Sequence, residues 1–151
     1  MTENKILSFG SVARRQLFSG VNKLADAVKI TMGPNGQTVV IEIPQGLPVL
    51  TKDGVTVAKS INLKTKFENL GVQLVKEAAA RTAETAGDGT TTATVLAQAL
   101  FSEGIKASTA GFNSTEVQTG MRAAMAAAIK NLNTMAQQVE SDDQIIQVGT
   151  I

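Results

Sequence analysis

The stretch Ala86-Gly-Asp-Gly-Thr-Thr-Thr-Ala-Thr94 constrains this chain more than any other. It breaks one helical pattern and opens the next. Its two glycines let the backbone turn sharply and approach a ligand closely. The helix that follows offers unpaired N–H groups and the positive end of its dipole, which together favour an anion. Thr90, Thr91 and Thr92 add hydroxyl groups at the same point. Three β-branched polar residues are a poor choice for a first helical turn, so helix propensity does not explain them. Asp88 would repel a phosphate, and a Mg²⁺ ion between the two removes the conflict, since Mg²⁺ is held by one or two carboxylates plus phosphate oxygens. The alternative is that Asp88 or a threonine simply caps the helix. The pattern as a whole points to a nucleoside triphosphate with its metal ion.

The rest of the chain reads as mostly helical with one β-ribbon. Leu17, Val21, Leu24, Val28 and Met32 recur at helical spacing between Ser11 and Met32, and Gly33-Pro34 stops the pattern. Thr38–Ile43 is a β-branched run and Leu47–Leu50 a second short strand, joined by a Pro44-Gln45-Gly46 turn, with Pro48 arguing for an edge. A ribbon this short is marginal alone; it lies either against its own domain or along a neighbouring subunit. Helices are expected over Phe67–Thr85 and Thr90–Phe101, the latter ended by Gly104. Asn113 and Glu116 make a capping-box-like start to another, striped by Val117, Met121, Met125, Ile129 and Leu132. A further element starts at Asp142.

Cysteine and histidine are both absent, which excludes disulfides, zinc fingers, thiol nucleophiles and His-based triads. With 14 basic and 13 acidic residues, the chain has no general attraction to nucleic acid or an anionic membrane. No stretch reaches the ~18 apolar residues of a membrane span, and MTENKILSFG lacks a signal-peptide core, so a cytoplasmic protein is expected. No Walker loop is present.

Two further glycine turns carry chemistry-bearing residues. Thr31-Met32-Gly33-Pro34-Asn35-Gly36 either wraps a nucleotide edge or simply stops a helix. Thr51-Lys52-Asp53-Gly54 is a strand end entering a helix, where Lys52 can contact phosphate or an ion and Asp53 can position metal or water. The alternative there is a turn with an exposed salt pair.

Taken in order, TMGPNG, TKDGVTVAKSI, KFENLGVQLVKEAAARTAETAGDGTTTATVLAQAL and the closing QVGTI resemble the N-terminal part of a group I chaperonin subunit, over essentially the whole chain. The resemblance implies a mainly α, equatorial-domain-like helical fold with one β-hairpin, incomplete in this chain. Residues 1–134 would be the N-terminal half of the ATP-binding equatorial domain, and 135–151 the start of the intermediate domain. Thr31, Met32, Gly33 and Pro34 would line ATP, with Lys52 near the phosphates. Asp88 would bind Mg²⁺ while Gly89, Thr90, Thr91 and Thr92 wrap the phosphates. A K⁺ ion is expected beside Thr31 and Lys52, and Asp53 near the attacking water. The hairpin Thr38–Leu50 would reach an adjacent subunit. Implied partners are further copies of the subunit in a double ring, a co-chaperonin lid and unfolded client proteins.

The sequence departs from the family in two ways. Asn35 and Gln37 stand where basic residues are usual, which reduces positive charge near the nucleotide loop. The apical domain, the hinge, the catalytic aspartate of the intermediate domain and the second equatorial half have no counterpart in these residues. The expectation is therefore a piece of an ATP-driven folding chaperonin, inactive alone, with no catalytic residue beyond Asp53's possible role. The alternatives are a truncated paralogue that binds nucleotide or ring subunits without hydrolysing ATP, and a small phosphotransferase using Asp53 and Asp88.

Overall fold

The computed structural model describes residues 6–150. The first five residues of the N-terminal reading and the last residue of QVGTI lie outside them. The described residues fall into two compact units, one up to Lys106 and one from Ala107 onward.

In the first unit, α1 (Gly10–Val28) continues into a 3-10 turn, Lys29–Thr31. The predicted stop at Gly33-Pro34 is thus reached through a tightened last turn: Met32 N–H donates to Lys29 O at 3.1 Å. A hairpin follows, β1 (Val39–Ile41) antiparallel to β2 (Val49–Thr51), with Val40 opposite Leu50. Its tip carries Pro44, then Gln45 at φ 69°, and Gly46 N–H donates to Ile43 O at 3.2 Å, the order of a type II turn. Then come α2 (Gly54–Ser60), α3 (Lys66–Ala86) and α4 (Thr90–Thr109).

The core is aliphatic and small. Val21, Leu24 and Val28 of α1 pack with Val57 of α2 and with Val72 and Val75 of α3. Val21, Leu24 and Val28 are positions the α1 stripe predicted, whereas Met32, also on that stripe, lies beyond the helix and is exposed. Phe18 and Phe101 stack at 6.0 Å and carry α4 onto α1. Gln98 of α4 also donates to Asn22 Oδ1 at 2.8 Å. The hairpin touches this core at its foot, through Val39, while Val40, Leu47 and Leu50 stay exposed.

One boundary differs from expectation. Gly104 does not end α4; the helix runs five residues further, to Thr109. The stop is Gly111, at φ 89°, with Phe112 N–H donating to Ala107 O and Gly111 N–H to Ser108 O. That Schellman arrangement needs a left-handed residue, and Gly104 keeps an ordinary φ.

In the second unit, α5 (Ser114–Met135) begins where expected, with Asn113 Oδ1 accepting from Thr115 N–H at 2.8 Å. Its apolar stripe is present but uncovered: Met125, Ile129 and Leu132 are all exposed. The last helix, α6, spans Asp142–Thr150. No helix of the described residues is long and apolar enough to cross a membrane.

Candidate functional site

Two sequence-distant side chains, Val28 at the end of α1 and Thr91 at the start of α4, meet at Gly54, and Val28 is also bonded locally to Thr31. Its carbonyl accepts a 2.8 Å hydrogen bond from Thr31 Oγ1, which ties the Thr31–Pro34 turn to the end of α1. Its side chain packs against Gly54, the first residue of α2, and Gly54 also rests directly against the side chain of Thr91 in the first turn of α4. The start of α2, the start of α4 and the end of α1 therefore meet there.

Each segment has a local reason for its shape. The Thr31–Gly36 turn closes on itself: Gly36 N–H donates to Gly33 O and Gln37 N–H to Ile30 O, both at 2.9 Å. Gly33 takes φ 75°, and Gly36 lies so close to Thr31 O that a Cβ would overlap it. Met32, Gly33 and Pro34 are left exposed at the turn's outer edge.

Asp53 caps α2. Its Oδ1 accepts from Val55 N–H at 3.3 Å, and its Oδ2 from Thr56 N–H at 2.9 Å and Thr56 Oγ1 at 2.5 Å. The Thr56 hydroxyl, more than the backbone amides, holds the Asp53 carboxyl below its ordinary range. Thr51 Oγ1 in turn accepts from Asp53 N–H at 3.0 Å. Lys52 is exposed and forms no salt pair with Asp53 among the described residues.

At the glycine-threonine loop, Gly87 and Gly89 adopt φ 75° and 79°, left-handed values that suit glycine. Gly89 O accepts from Ala93 N–H at 2.9 Å, the first bond of α4. Asp88 stands exposed between the two glycines and makes no side-chain hydrogen bond among the described residues, so it does not serve as a cap for α4. Thr90 and Thr91 are half-buried, and Thr92 is exposed. Among the described residues no cluster of three or more acidic side chains gathers. A lone, outward carboxylate fits an ion that takes its remaining ligands from phosphate and water; it does not fit an all-protein metal cage.

Two concave surfaces lie elsewhere. A groove of about 340 Å³ separates α2 from α3, and one of about 400 Å³ lies between the hairpin and α2; neither is lined by Thr31–Pro34, Lys52, Asp53 or Asp88–Thr92. In the first, burial pushes the Lys76 amine below its ordinary value, and the amine donates to Lys59 O at 3.1 Å and Asn62 Oδ1 at 3.3 Å. Sequence reasoning placed Val28 on the apolar stripe of α1 without a role at the site, and gave Gly54 no role. The available signal was that Gly54 opens a helix directly after a capping aspartate, where glycine has no conformational use.

Comparison with known proteins places these features in context. Residues 24–151 match the model of the TCP-1/cpn60 chaperonin family. Among solved structures, the chain is similar to the chaperonin gp146 from the bacteriophage EL 2 (Pseudomonas aeruginosa), crystallised in the presence of ATP-BeFx. The two share 33% identity at a TM-score of 0.78, over 91% of this chain and 24% of that one. This chain thus spans about a quarter of the length of that chaperonin.

Proposed function

The chain belongs to the TCP-1/cpn60 chaperonin family, and from that we propose that it is the nucleotide-holding part of an ATP-driven protein-folding chaperonin subunit. The observation that carries this is that Gly54 packs against both Thr91 and Val28, the residue to whose carbonyl Thr31 bonds. It gathers the three glycine turns that the sequence singled out separately. The relative crystallised with ATP-BeFx supports a nucleotide as the ligand.

In this proposal the open N-terminus of α4, with Gly89, Thr90, Thr91 and Thr92, receives the phosphates. Asp88 holds Mg²⁺, whose chemistry is to neutralise charge on the phosphate oxygens. Thr31, Met32, Gly33 and Pro34 line the nucleotide, and Lys52 adds positive charge near the phosphates, with K⁺ beside Thr31 and Lys52. Asp53 orients water. Residues 1–134 serve as the equatorial half and 135–151 lead into the intermediate domain. The hairpin Thr38–Leu50, whose Val40, Leu47 and Leu50 are exposed, reaches an adjacent subunit in a ring, which encloses client proteins beneath a co-chaperonin lid in the cytoplasm.

Calorimetric titration of the full-length protein with Mg-ATP tests this. Binding is expected in the wild type. In Asp88→Ala, hydrolysis should fall by at least about a hundredfold, because a metal ion contributes several kcal/mol to the transition state at about 1.4 kcal/mol per tenfold. Unchanged Mg²⁺-dependent hydrolysis in that variant would overturn the assignment of the loop.

A further inference from the structure

We propose that Gly54 is a positioning residue for the phosphate loop: lacking a side chain, it seats the start of α2 directly against Thr91 and so sets where the Thr91 hydroxyl is presented. This rests on the reading that Gly89–Thr92 hold phosphate.

Space, not backbone conformation, explains this glycine. Gly54 is buried, begins a helix and has no positive φ, and glycine is the worst helix former after proline. A Cβ at this position would overlap Thr91 Oγ1 and would come within 3.3 Å of Thr91 Cβ and 3.2 Å of Val28 Cγ1. The two neighbours differ in their freedom to move. Val28 is fully buried within the aliphatic core and cannot yield. Thr91 is half-buried in the first turn of α4, and its hydroxyl makes no hydrogen bond among the described residues. By contrast, Thr94, three residues on, bonds back to Thr90 O at 2.9 Å. Nor can α2 easily withdraw, because Val57 and Ala58 of its second turn are buried in the core it shares with α1 and α3. Strain introduced at position 54 is therefore delivered to Thr91, and Thr91 is held in place by the bare face of Gly54.

The test is a double-mutant cycle in the full-length protein with Gly54→Ala, Thr91→Ala and both together. It is read by Mg-ATP calorimetry and by the Thr91 γ-methyl resonance in the nucleotide-free state. Gly54→Ala should weaken Mg-ATP binding by about tenfold or more, the scale of an overpacked contact, and should displace the Thr91 methyl signal. In the Thr91→Ala background, Gly54→Ala should cost little further, because the overlapped hydroxyl is gone. An unmoved Thr91 methyl, or an equal loss in both backgrounds, overturns the proposal. If Gly54→Ala alone does not fold, the double variant should, and its failure to fold would place the strain elsewhere and overturn the proposal too. If the wild type binds no Mg-ATP, the phosphate reading falls, and the methyl displacement still decides the role of Gly54.

Discussion

The α-carbon of Gly20 in α1 lies against the backbone carbonyl of Glu68 in α3, so close that a Cβ on Gly20 would overlap the oxygen and stand 2.7 Å from its carbon. Gly71 of α3 meets the carbonyl of Leu17 in the same way, with its carbon 3.0 Å from a would-be Cβ. Two glycines thus let the helices cross backbone to backbone, and no flexible side-chain tip is available to relieve a clash.

Gly20→Ala and Gly71→Ala should each destabilise the protein by about 3 kcal/mol or more, the upper range of overpacking. The helix-propensity gain of about 1 kcal/mol is too small to offset that. Gly120 provides the control, since it sits in α5 with nothing within 4 Å of a Cβ. Gly120→Ala should stabilise by about 0.5–1 kcal/mol. Urea unfolding of the three variants checks the sign of each.

Glu68 is also clamped through its side chain. Ser19 Oγ donates to Oε1 at 2.6 Å and Lys23 Nζ to Oε2 at 2.8 Å. Lys23, then Ser19, hold the Glu68 carboxyl below its ordinary range. A carboxyl depressed in the folded state adds stability above its unfolded pKa and loses it as pH falls through the folded one. Melting temperature should therefore drop on acidification from about pH 4.5 downward, and Glu68→Gln should flatten that slope while lowering the neutral-pH plateau. A parallel pH profile for the variant would refute the assignment.

Asp53 has a structural role that can be separated from a catalytic one. Asp53→Ala should cost about 1 kcal/mol through loss of the α2 cap, whereas Asp53→Asn, which can still accept from the amides, should cost much less. If Asp53 also orients water, both variants of the full-length protein lose ATP hydrolysis. Activity tracking stability alone would confine Asp53 to capping.

Residues 1–151 expressed alone should bind a hydrophobic dye and self-associate. In the first unit Leu96 and Leu100, one turn apart on α4, are each 57% exposed, and in the second unit the α5 stripe has Leu132 62% exposed; uncovered apolar stripes of this kind mark interaction faces. A sharp cooperative melt with no dye binding, together with tight Mg-ATP binding, would contradict this.

What could be read from the sequence was local. The α1 stripe gave Val21, Leu24 and Val28 because buried positions repeat at helical spacing, and Asn113 announced α5 because capping depends on neighbours two residues away. The Gly87-Asp88-Gly89 break was legible as a sharp turn for the same reason, and the structure gives both glycines left-handed values. The end of α4 was misjudged, since Gly104 and Gly111 look alike in sequence and only the fold decides which takes a positive φ. The partners of Gly20, Gly54 and Gly71 lay beyond sequence reasoning altogether. Gly54 and Thr91 are far apart along the chain, and a missing side chain leaves no periodic trace of what fills its place.

The contact of Val28 with Gly54 means that the excursion of residues 29–53 ends where it began, touching the core in between through Val39. Such an excursion behaves as a cassette whose ends are already joined. Loop-closure entropy rises only slowly with length, so residues at the exposed turn Pro44–Leu47 can be added, removed or exchanged for a foreign sequence with little effect on the helices that hold the glycine turns. Only the tip Pro44–Leu47 is free in this sense, because Thr31–Pro34, Lys52 and Asp53 at the two ends of the cassette are tied to the proposed nucleotide site. A change at the tip leaves the fold intact while altering the proposed contact with an adjacent subunit.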